Sequence, residues 1–308
     1  MLKVFDVGHG QCILFITPNQ HVVLIDCAHH PDGWHPADTL LPMGIKHIHA
    51  LVISNFDEDH ARGLGELLAR GITIGRVWPN WRVTPDQIRR LKNDLGNGID
   101  LLLRLLDYGL GSGCDAADAP MLGCEIFRTW ALSADDYMPS HADTNRLSLI
   151  TEIEVSGTRI MIGGDMPAKG WAILMQNQGF REAVATTDIL VASHHGRQDG
   201  CCDELFADGW RPRVVIMSDE RQGYSTQDMG QYYRQRSLGL IFDDGETRHV
   251  LRTDRHGTID ISFPAFRHFR VQLSRGSRQA PPATPAYRLA QARGLLGVNA
   301  PLCGLLLP

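Results

Sequence analysis

The chain is expected to fold as an α/β sandwich, in which two mixed β-sheets pack face to face between outer layers of helices (αββα). Short apolar strand patterns alternate with helical ones in two batches, one in each half, and that order implies two sheets covered by helices. With 308 residues and 43% hydrophobic content, the chain can bury one large core or two modest ones. Charged residues make up 21%, an ordinary globular value that excludes wholesale disorder.

Residues 2–7, 11–16 and 21–27 read as three strands of a meander, turning at Gly8-His9-Gly10 and Pro18-Asn19. Residues 28–36 carry His29, His30, Asp32 and His35, either a second metal cluster or a polar loop; Pro31 and Pro36 favour the loop. A short helix near Ala37–Met43 leads to a strand ending Leu51-Val52-Ile53-Ser54. Residues 84–108 form the longest helical stretch, with a start signal at Thr84-Pro85-Asp86 and apolar spacing through Leu91, Leu95, Ile99 and Leu102. Asn97-Gly98 is the expected break within it, and residues 109–119 read as a Gly/Asp-rich loop. The second half is expected to hold strands at 123–130, 147–155 and 158–163, the last pair joined by a Ser156-Gly157 turn. A helix at 166–178, strands at 188–192 and 214–217, a helix at 226–237 and short strands near 240, 249 and 259 complete the layout.

Chemistry concentrates where strands end. Directly after Ile53-Ser54 come Asn55, Asp57, Asp59 and His60. A buried strand ending in so many hard ligands is costly unless something neutralises them, and a divalent cation is the usual answer. The apolar strand Ile160–Ile162 ends in Gly163-Gly164-Asp165, where Asp is either a ligand or a helix N-cap. The strand at 188–192 ends in Ser193-His194-His195-Gly196, and two histidines beside a glycine favour a site.

The run Asn55-Phe-Asp57-Glu-Asp59-His60 resembles the His-x-His-x-Asp-His signature of the metallo-β-lactamase fold. It is most similar to the variant in the soluble domain of ComEC/Rec2-type competence proteins, where Asp stands at the second His. Phe5-Asp6-Val7-Gly8-His9-Gly10-Gln11, Leu24-Ile25-Asp26, Asn145-Arg-Leu-Ser148-Leu, Gly163-Gly164-Asp165, Ser193-His194-His195-Gly196 and Arg252-Thr-Asp254-Arg-His-Gly257 follow that family's order. The resemblance covers roughly residues 2–263 and implies the αββα sandwich. It also implies one ion held by Asp59, His60 and His194 with Asp165 placed to bridge, and a second drawing on Asn55, Asp57 and Asn145. Asn55 offers a neutral amide where the family has imidazole, and Gln11 stands where the family has a second Asp. One good site and one poor or transient site are therefore expected, filled by Zn²⁺ or Mn²⁺. Asp57, Asp59 and His195 are the candidate catalytic groups, His195 either as the acid for a leaving group or as an orienting hydrogen-bond partner.

A divalent cation lowers the pKa of a bound water toward neutrality and polarises a phosphoryl or acyl oxygen. The expected activity is metal-dependent hydrolysis of the phosphodiesterase or nuclease type, on a nucleic acid or nucleotide. The alternative is a degenerate module of the same fold that serves partner binding or assembly. In the Ser218–Tyr224 stretch, Arg221 and Tyr224 are candidates to clamp a phosphate and stack on a base, or belong to a solvated loop.

Two domains of unequal kind are expected, a folded unit at 1–264 and a basic tail at 265–308. The tail has six arginines and no acid against an overall charge of −5, which leaves the first 264 residues at −11. That acidic body argues against long-duplex binding through a broad basic face. The tail is read as a mobile appendage or a docking segment for a protein partner. Phe5-Asp6-Val7-Gly8 reads as a working strand and turn rather than a secretory leader, and no apolar run approaches the roughly 20 residues of a membrane span. Seven cysteines without framework spacing suit a reducing cytoplasm, and no membrane association is expected.

Overall fold

The computed structural model describes residues 1–114, 118–136, 144–220, 228–276 and 279. In chain order the strands are β1 (Leu2–Val4), β2 (Ile13–Ile16), β3 (Val22–Ile25), β4 (His47–Val52), β5 (Thr73–Trp78), β6 (Ile126–Ala131), β7 (Leu149–Val155) and β8 (Thr158–Ile162). They continue as β9 (Ile189–Val191), β10 (Val214–Met217), β11 (Leu240–Ile241), β12 (Thr247–Arg248), β13 (Val250–Arg252), β14 (Ile259–Ala265) and β15 (His268–Leu273). One sheet has the order β15-β14-β1-β2-β3-β4-β5 and the other β13-β10-β9-β8-β7-β6, with β11 and β12 forming a small ribbon. Both sheets are mixed. The pairs β3–β4 and β4–β5 run parallel in the first, and β8–β9, β9–β10 and β10–β13 in the second.

Side-chain alternation along the strands creates three cores. Val4, Ile13, Phe15, Val23 and Ile25 of the first sheet meet Ile153, Ile160, Ile162, Val191 and Ile216 of the second in a shared middle layer. The opposite face of the first sheet, with Leu14, Leu24 and Leu51, packs on Leu64, Leu67, Ile99, Leu102 and Leu103 from helices Leu64–Ala69 and Gly96–Asp107. The outer face of the second sheet, with Ile150, Met161, Leu190 and Val215, packs on Trp171, Phe180 and Val184 from helices Ala168–Leu174 and Gln178–Ala185. Helix, sheet, sheet, helix is thus the layer order, the αββα sandwich expected from the strand and helix rhythm. Each fully buried aliphatic or aromatic side chain in these layers contributes about 1.5–3 kcal/mol.

The fold departs from expectation in several places, and the first departure shapes the site. The stretch at 84–108 is two helices, Pro85–Leu91 and Gly96–Asp107, broken at residues 92–95 rather than at Asn97-Gly98. Thr84 caps the first, its Oγ1 accepting from the Gln87 N–H while Gln87 Oε1 accepts from the Thr84 N–H. Lys92 then leaves the helix in extended geometry (φ −111°, ψ 125°). Gly96 restarts the chain at φ +70°, where an added Cβ would sit 2.5 Å from Glu58 Oε2. The Glu58 carboxylate accepts from the N–H groups of Gly98 (2.8 Å) and Ile99 (3.2 Å), fastening the second helix beside the central motif.

The second departure lies at the domain boundary expected at residue 264. That position falls inside a hairpin, because β14 runs to Ala265 and pairs antiparallel with β15 at the edge of the first sheet. Phe269, Val271 and Leu273 enter the middle core while the residues between them face out. The helix expected at 166–178 is also two, split between Leu174 and Gln178. The helix expected at 226–237 is described as Gly230–Arg234, and the rest of the basic tail from residue 280 lies outside the described residues.

Phe127 stacks on Phe15 across the middle core (ring centroids 6.4 Å apart), on β6 and away from the strand ends that carry the polar cluster. Phe127→Ala should lower unfolding free energy by about 3–5 kcal/mol through cavity formation. Urea titration checks this, with metal content of the folded fraction unchanged.

Candidate metal centre

The carboxyl ends of the parallel strands in the two sheets meet at one edge of the sandwich. There β3 gives way to Asp26, β4 to Ser54, β8 to Asp165, β9 to His194 and His195, and β10 to Ser218 and Asp219. The β1–β2 loop brings His9, and the four-residue helix Glu58–Ala61 carries Asp59 and His60. Gly10, at φ +126°, lets this loop press on the helix: a Cβ there would lie 2.4 Å from the Asp59 carbonyl oxygen.

Asp59, His60, Asp165 and His195 form a set whose ligand atoms all lie within 4.8 Å of one another. His60 Nε2 is 3.2 Å from Asp165 Oδ1, and His195 Nε2 is 3.2 Å from Asp59 Oδ2 and 3.6 Å from Asp165 Oδ1. Each imidazole is oriented from behind. The His60 Nδ1–H donates to Asp26 Oδ2 at 2.8 Å, and the His195 Nδ1–H donates to the Ser218 carbonyl at 2.9 Å. Both rings therefore present Nε2 to the centre, the arrangement in which an outer carboxylate or carbonyl fixes the tautomer of a metal-ligating histidine. Asp165 is set by its own backbone N–H, which donates to Ser148 Oγ at 3.1 Å.

Two buried atoms, His60 Nε2 and Asp165 Oδ1, face each other at 3.2 Å without hydrogen-bond geometry between them, and neither has another hydrogen-bond partner among the described residues. A cation between them satisfies both, and two carboxylates with two imidazoles form a donor set that suits a divalent transition metal. The residues present fit the ion that the resemblance implied.

The electrostatics agree. Burial alone works against a charged His60, yet Asp165, Asp26 and Asp59 raise its pKa well above the ordinary histidine value. His195 behaves alike: burial lowers its pKa, but Asp165 and Asp59 win and raise it. Burial pushes the Asp59 carboxyl up, while His60, His195 and His9 hold it well below the usual carboxylate range. For Asp165 burial acts upward too, and His60, His195 and His194 prevail downward. Protons on the imidazoles thus supply the compensation that a metal ion would supply.

The sequence expectations are distributed around this set as follows. His194, expected as a ligand, lies on the Asp165 flank and outside the set of four. Its Nε2 is 3.9 Å from Asp165 Oδ2 and its Nδ1 bonds Asp199 Oδ2 at 2.8 Å. His195, expected as an acid or orienting group, occupies the inner position. His194 (φ 49°, ψ 47°) and His195 (φ 56°, ψ 17°) are both left-handed, costing of order 1–3 kcal/mol each, and this double turn aims the second ring inward. Asn55, Asp57 and Asn145 gather beside the set: Asn55 Nδ2 donates to Asn145 Oδ1 at 2.9 Å and to Asp57 Oδ2 at 3.2 Å. Gln11 is not at the centre but behind it, donating from Nε2 to Asp26 Oδ2 at 2.7 Å.

His9 was given no role by its sequence context. Its Nε2 lies 3.2 Å from Asp59 Oδ2 and its Nδ1 2.9 Å from Asp219 Oδ1, with the side chain 30% exposed at the mouth. The one signal for it was a histidine inside an otherwise glycine turn. His29, His30 and His35 stay in the loop at 28–36 and do not join the set, whereas Arg221 and Tyr224 lie outside the described residues.

No protein-family model matches the chain. Over 286 residues it is 25% identical to ComE operon protein 3 of Bacillus subtilis (strain 168), a match covering 85% of this chain and 33% of that protein. The chain thus spans about a third of the length of that curated relative. Among solved structures it is similar to the metallo-β-lactamase fold protein YhfI from Bacillus subtilis, at 12% identity and TM-score 0.45, over 82% of this chain and 96% of that one. It is also similar to a diphosphatase from the PhnP family, at 11% identity and TM-score 0.43, over 85% and 99% of the two chains. A third similarity is to Zn²⁺-bound PqqB from Methylobacterium extorquens, at 13% identity and TM-score 0.36, over 73% and 83%.

Because His60 and His195 have raised pKa values, an entering ion must displace their protons near neutrality. Metal affinity should therefore rise with pH between about 6 and 8, by up to about tenfold per unit for each proton displaced. Calorimetry in buffers of different ionisation enthalpy measures the released protons. An affinity independent of pH across that range would contradict the assignment of both imidazoles.

Proposed function

We propose that this chain is a metal-dependent hydrolase of phosphodiesters, of the phosphodiesterase or nuclease type, working with one divalent ion held by Asp59, His60, Asp165 and His195. The observation that carries the reading is the buried, closed set of two carboxylates and two pre-oriented imidazoles, in which His60 Nε2 and Asp165 Oδ1 face each other without hydrogen-bond geometry between them. When bound there, Zn²⁺ or Mn²⁺ brings the pKa of a coordinated water toward neutrality and polarises a phosphoryl oxygen. Asp26 and Ser218 hold the two rings so that Nε2 stays free of protons when an ion is present. Asp59, its side chain 17% exposed, and His9 at the mouth form a path by which a proton can pass between the centre and solvent.

Arg197 supports an anionic substrate. Its guanidinium lies 3.4 Å from His9 Nδ1, its Nε is buried without a hydrogen-bond partner, and it has no carboxylate partner among the described residues. A guanidinium at the mouth of the centre is suited to a phosphoryl oxygen. A cytoplasmic setting is part of the proposed reading, on the unframed cysteine spacing of the sequence. The second reading, a degenerate module of the same fold that serves partner binding or assembly, is favoured by the altered Asn55 side of the centre.

Protein stripped with a chelator and reloaded with Mn²⁺ or Zn²⁺ should hydrolyse bis(p-nitrophenyl) phosphate and cleave single-stranded DNA only in the loaded form. Asp165→Ala should lose most of its metal and fall in rate by more than about 100-fold, the scale of removing one charge-stabilising group. Full metal occupancy without turnover on any phosphodiester would favour the binding module. Turnover that survives both chelation and Asp165→Ala would sink the metal reading itself.

A further inference from the structure

Beside the four-residue set lies the place where a second ion would be expected, bounded by Asn55, Asp57, Asn145 and Asp165. That place is filled by the Asn55 amide nitrogen. Nδ2 points at three oxygens at once: Asn145 Oδ1 at 2.9 Å, Asp57 Oδ2 at 3.2 Å and Asp165 Oδ2 at 3.3 Å. Asn55 Oδ1 faces away and accepts from the Phe56 N–H at 2.7 Å, so turning the amide over would set oxygen against three oxygens and a donor against a donor. The lone pair of an amide nitrogen is delocalised into its carbonyl, so it donates hydrogen bonds and does not ligate a cation.

Charge arrives from elsewhere. The Lys92 ammonium bonds Asp57 Oδ1 and the Phe56 carbonyl (2.7 Å), and Thr144 Oγ1 donates to the same Asp57 oxygen at 2.9 Å. Both oxygens of Asp57 are thereby occupied by donors, the Asn55 amide on Oδ2 and the Lys92 ammonium with the Thr144 hydroxyl on Oδ1. Lys92 reaches the site because the helix Pro85–Leu91 ends there and the chain turns extended before restarting at Gly96. Its side chain is only 16% exposed, so the ammonium belongs to the site rather than to the solvated surface.

We propose that Asn55 and Lys92 together replace a second metal ion, the amide filling its coordination space and the ammonium supplying its charge, so that the centre is mononuclear by construction. A divalent ion entering this place would meet N–H donors instead of lone pairs and a cation on the very carboxylate it needs. The inference rests on the four-residue set as the first site, but it concerns the number of ions rather than their chemistry.

The test compares the natural chain with Asn55→His/Lys92→Met, each saturated with Mn²⁺, passed through gel filtration and assayed by elemental analysis. One ion per chain is expected for the natural protein and two for the double variant, with an exchange-coupled Mn²⁺ pair in its paramagnetic resonance spectrum. A gain of one ion between the two chains sustains the proposal. No gain in a double variant that melts as a folded protein overturns it, as do two ions in the natural chain. Should that variant fail to fold, Asn55→Asp/Lys92→Gln takes its place, removing both the amide and the ammonium with side chains of nearly the same size. A second, exchange-coupled ion in it sustains the proposal, and a single ion in that folded variant or a coupled pair in the natural chain overturns it. An absent first ion in the natural protein would instead show as a count of zero, which strikes the proposed function separately.

Discussion

A carboxylate with no access to solvent organises the centre. Asp26 ends β3 in a left-handed turn (φ 58°) and accepts from the Ser54 N–H, the Ser54 hydroxyl, Gln11 Nε2 and His60 Nδ1. Those bonds tie together the β1–β2 loop, the end of β3, the end of β4 and the short helix that carries Asp59 and His60. A buried carboxylate is costly unless its lone pairs are filled, and here every partner that fills them is also a part that must be placed. The orientation of the His60 ring follows from this anchor, and the fit of an ion follows from the ring.

The second sheet supplies the opposite wall by different means. Asp165 and His195 come from strand ends of the sheet that shares the middle core with the first, so their distance from Asp59 and His60 is set by sheet packing rather than by any local motif. The backbone strain at His194 and His195 is stored there and held by the His194 N–H bond to the Gly164 carbonyl at 2.8 Å. Packing fixes the gap between the walls, and charge decides what can occupy it: two acids and two rings in one half, an amide and an ammonium in the other.

How much of this was legible in the chain depends on how local each signal was. The layer order could be read because strand and helix patterns alternate, and Asp57, Asp59 and His60 because hard ligands crowd one strand end. The inner place of His195 was not legible. Adjacent histidines are indistinguishable until a left-handed turn chooses which ring faces inward. Lys92 was hidden because the apolar spacing of Leu91, Leu95, Ile99 and Leu102 runs unbroken across the very residues where the helix stops. The last strand was masked by composition: Phe269, Val271 and Leu273 alternate cleanly, but the outward arginines and histidine between and around them read as a basic tail.

The central claim, one ion held by two imidazoles and two carboxylates with no second ion beside it, is tested most directly by X-ray absorption at the metal edge of the Zn²⁺-loaded protein. The structure predicts two imidazole nitrogens at about 2.0–2.1 Å, the remaining inner shell filled by oxygen, and no metal neighbour. A metal scatterer at about 3.5–4 Å, or an inner shell without imidazole, would contradict it.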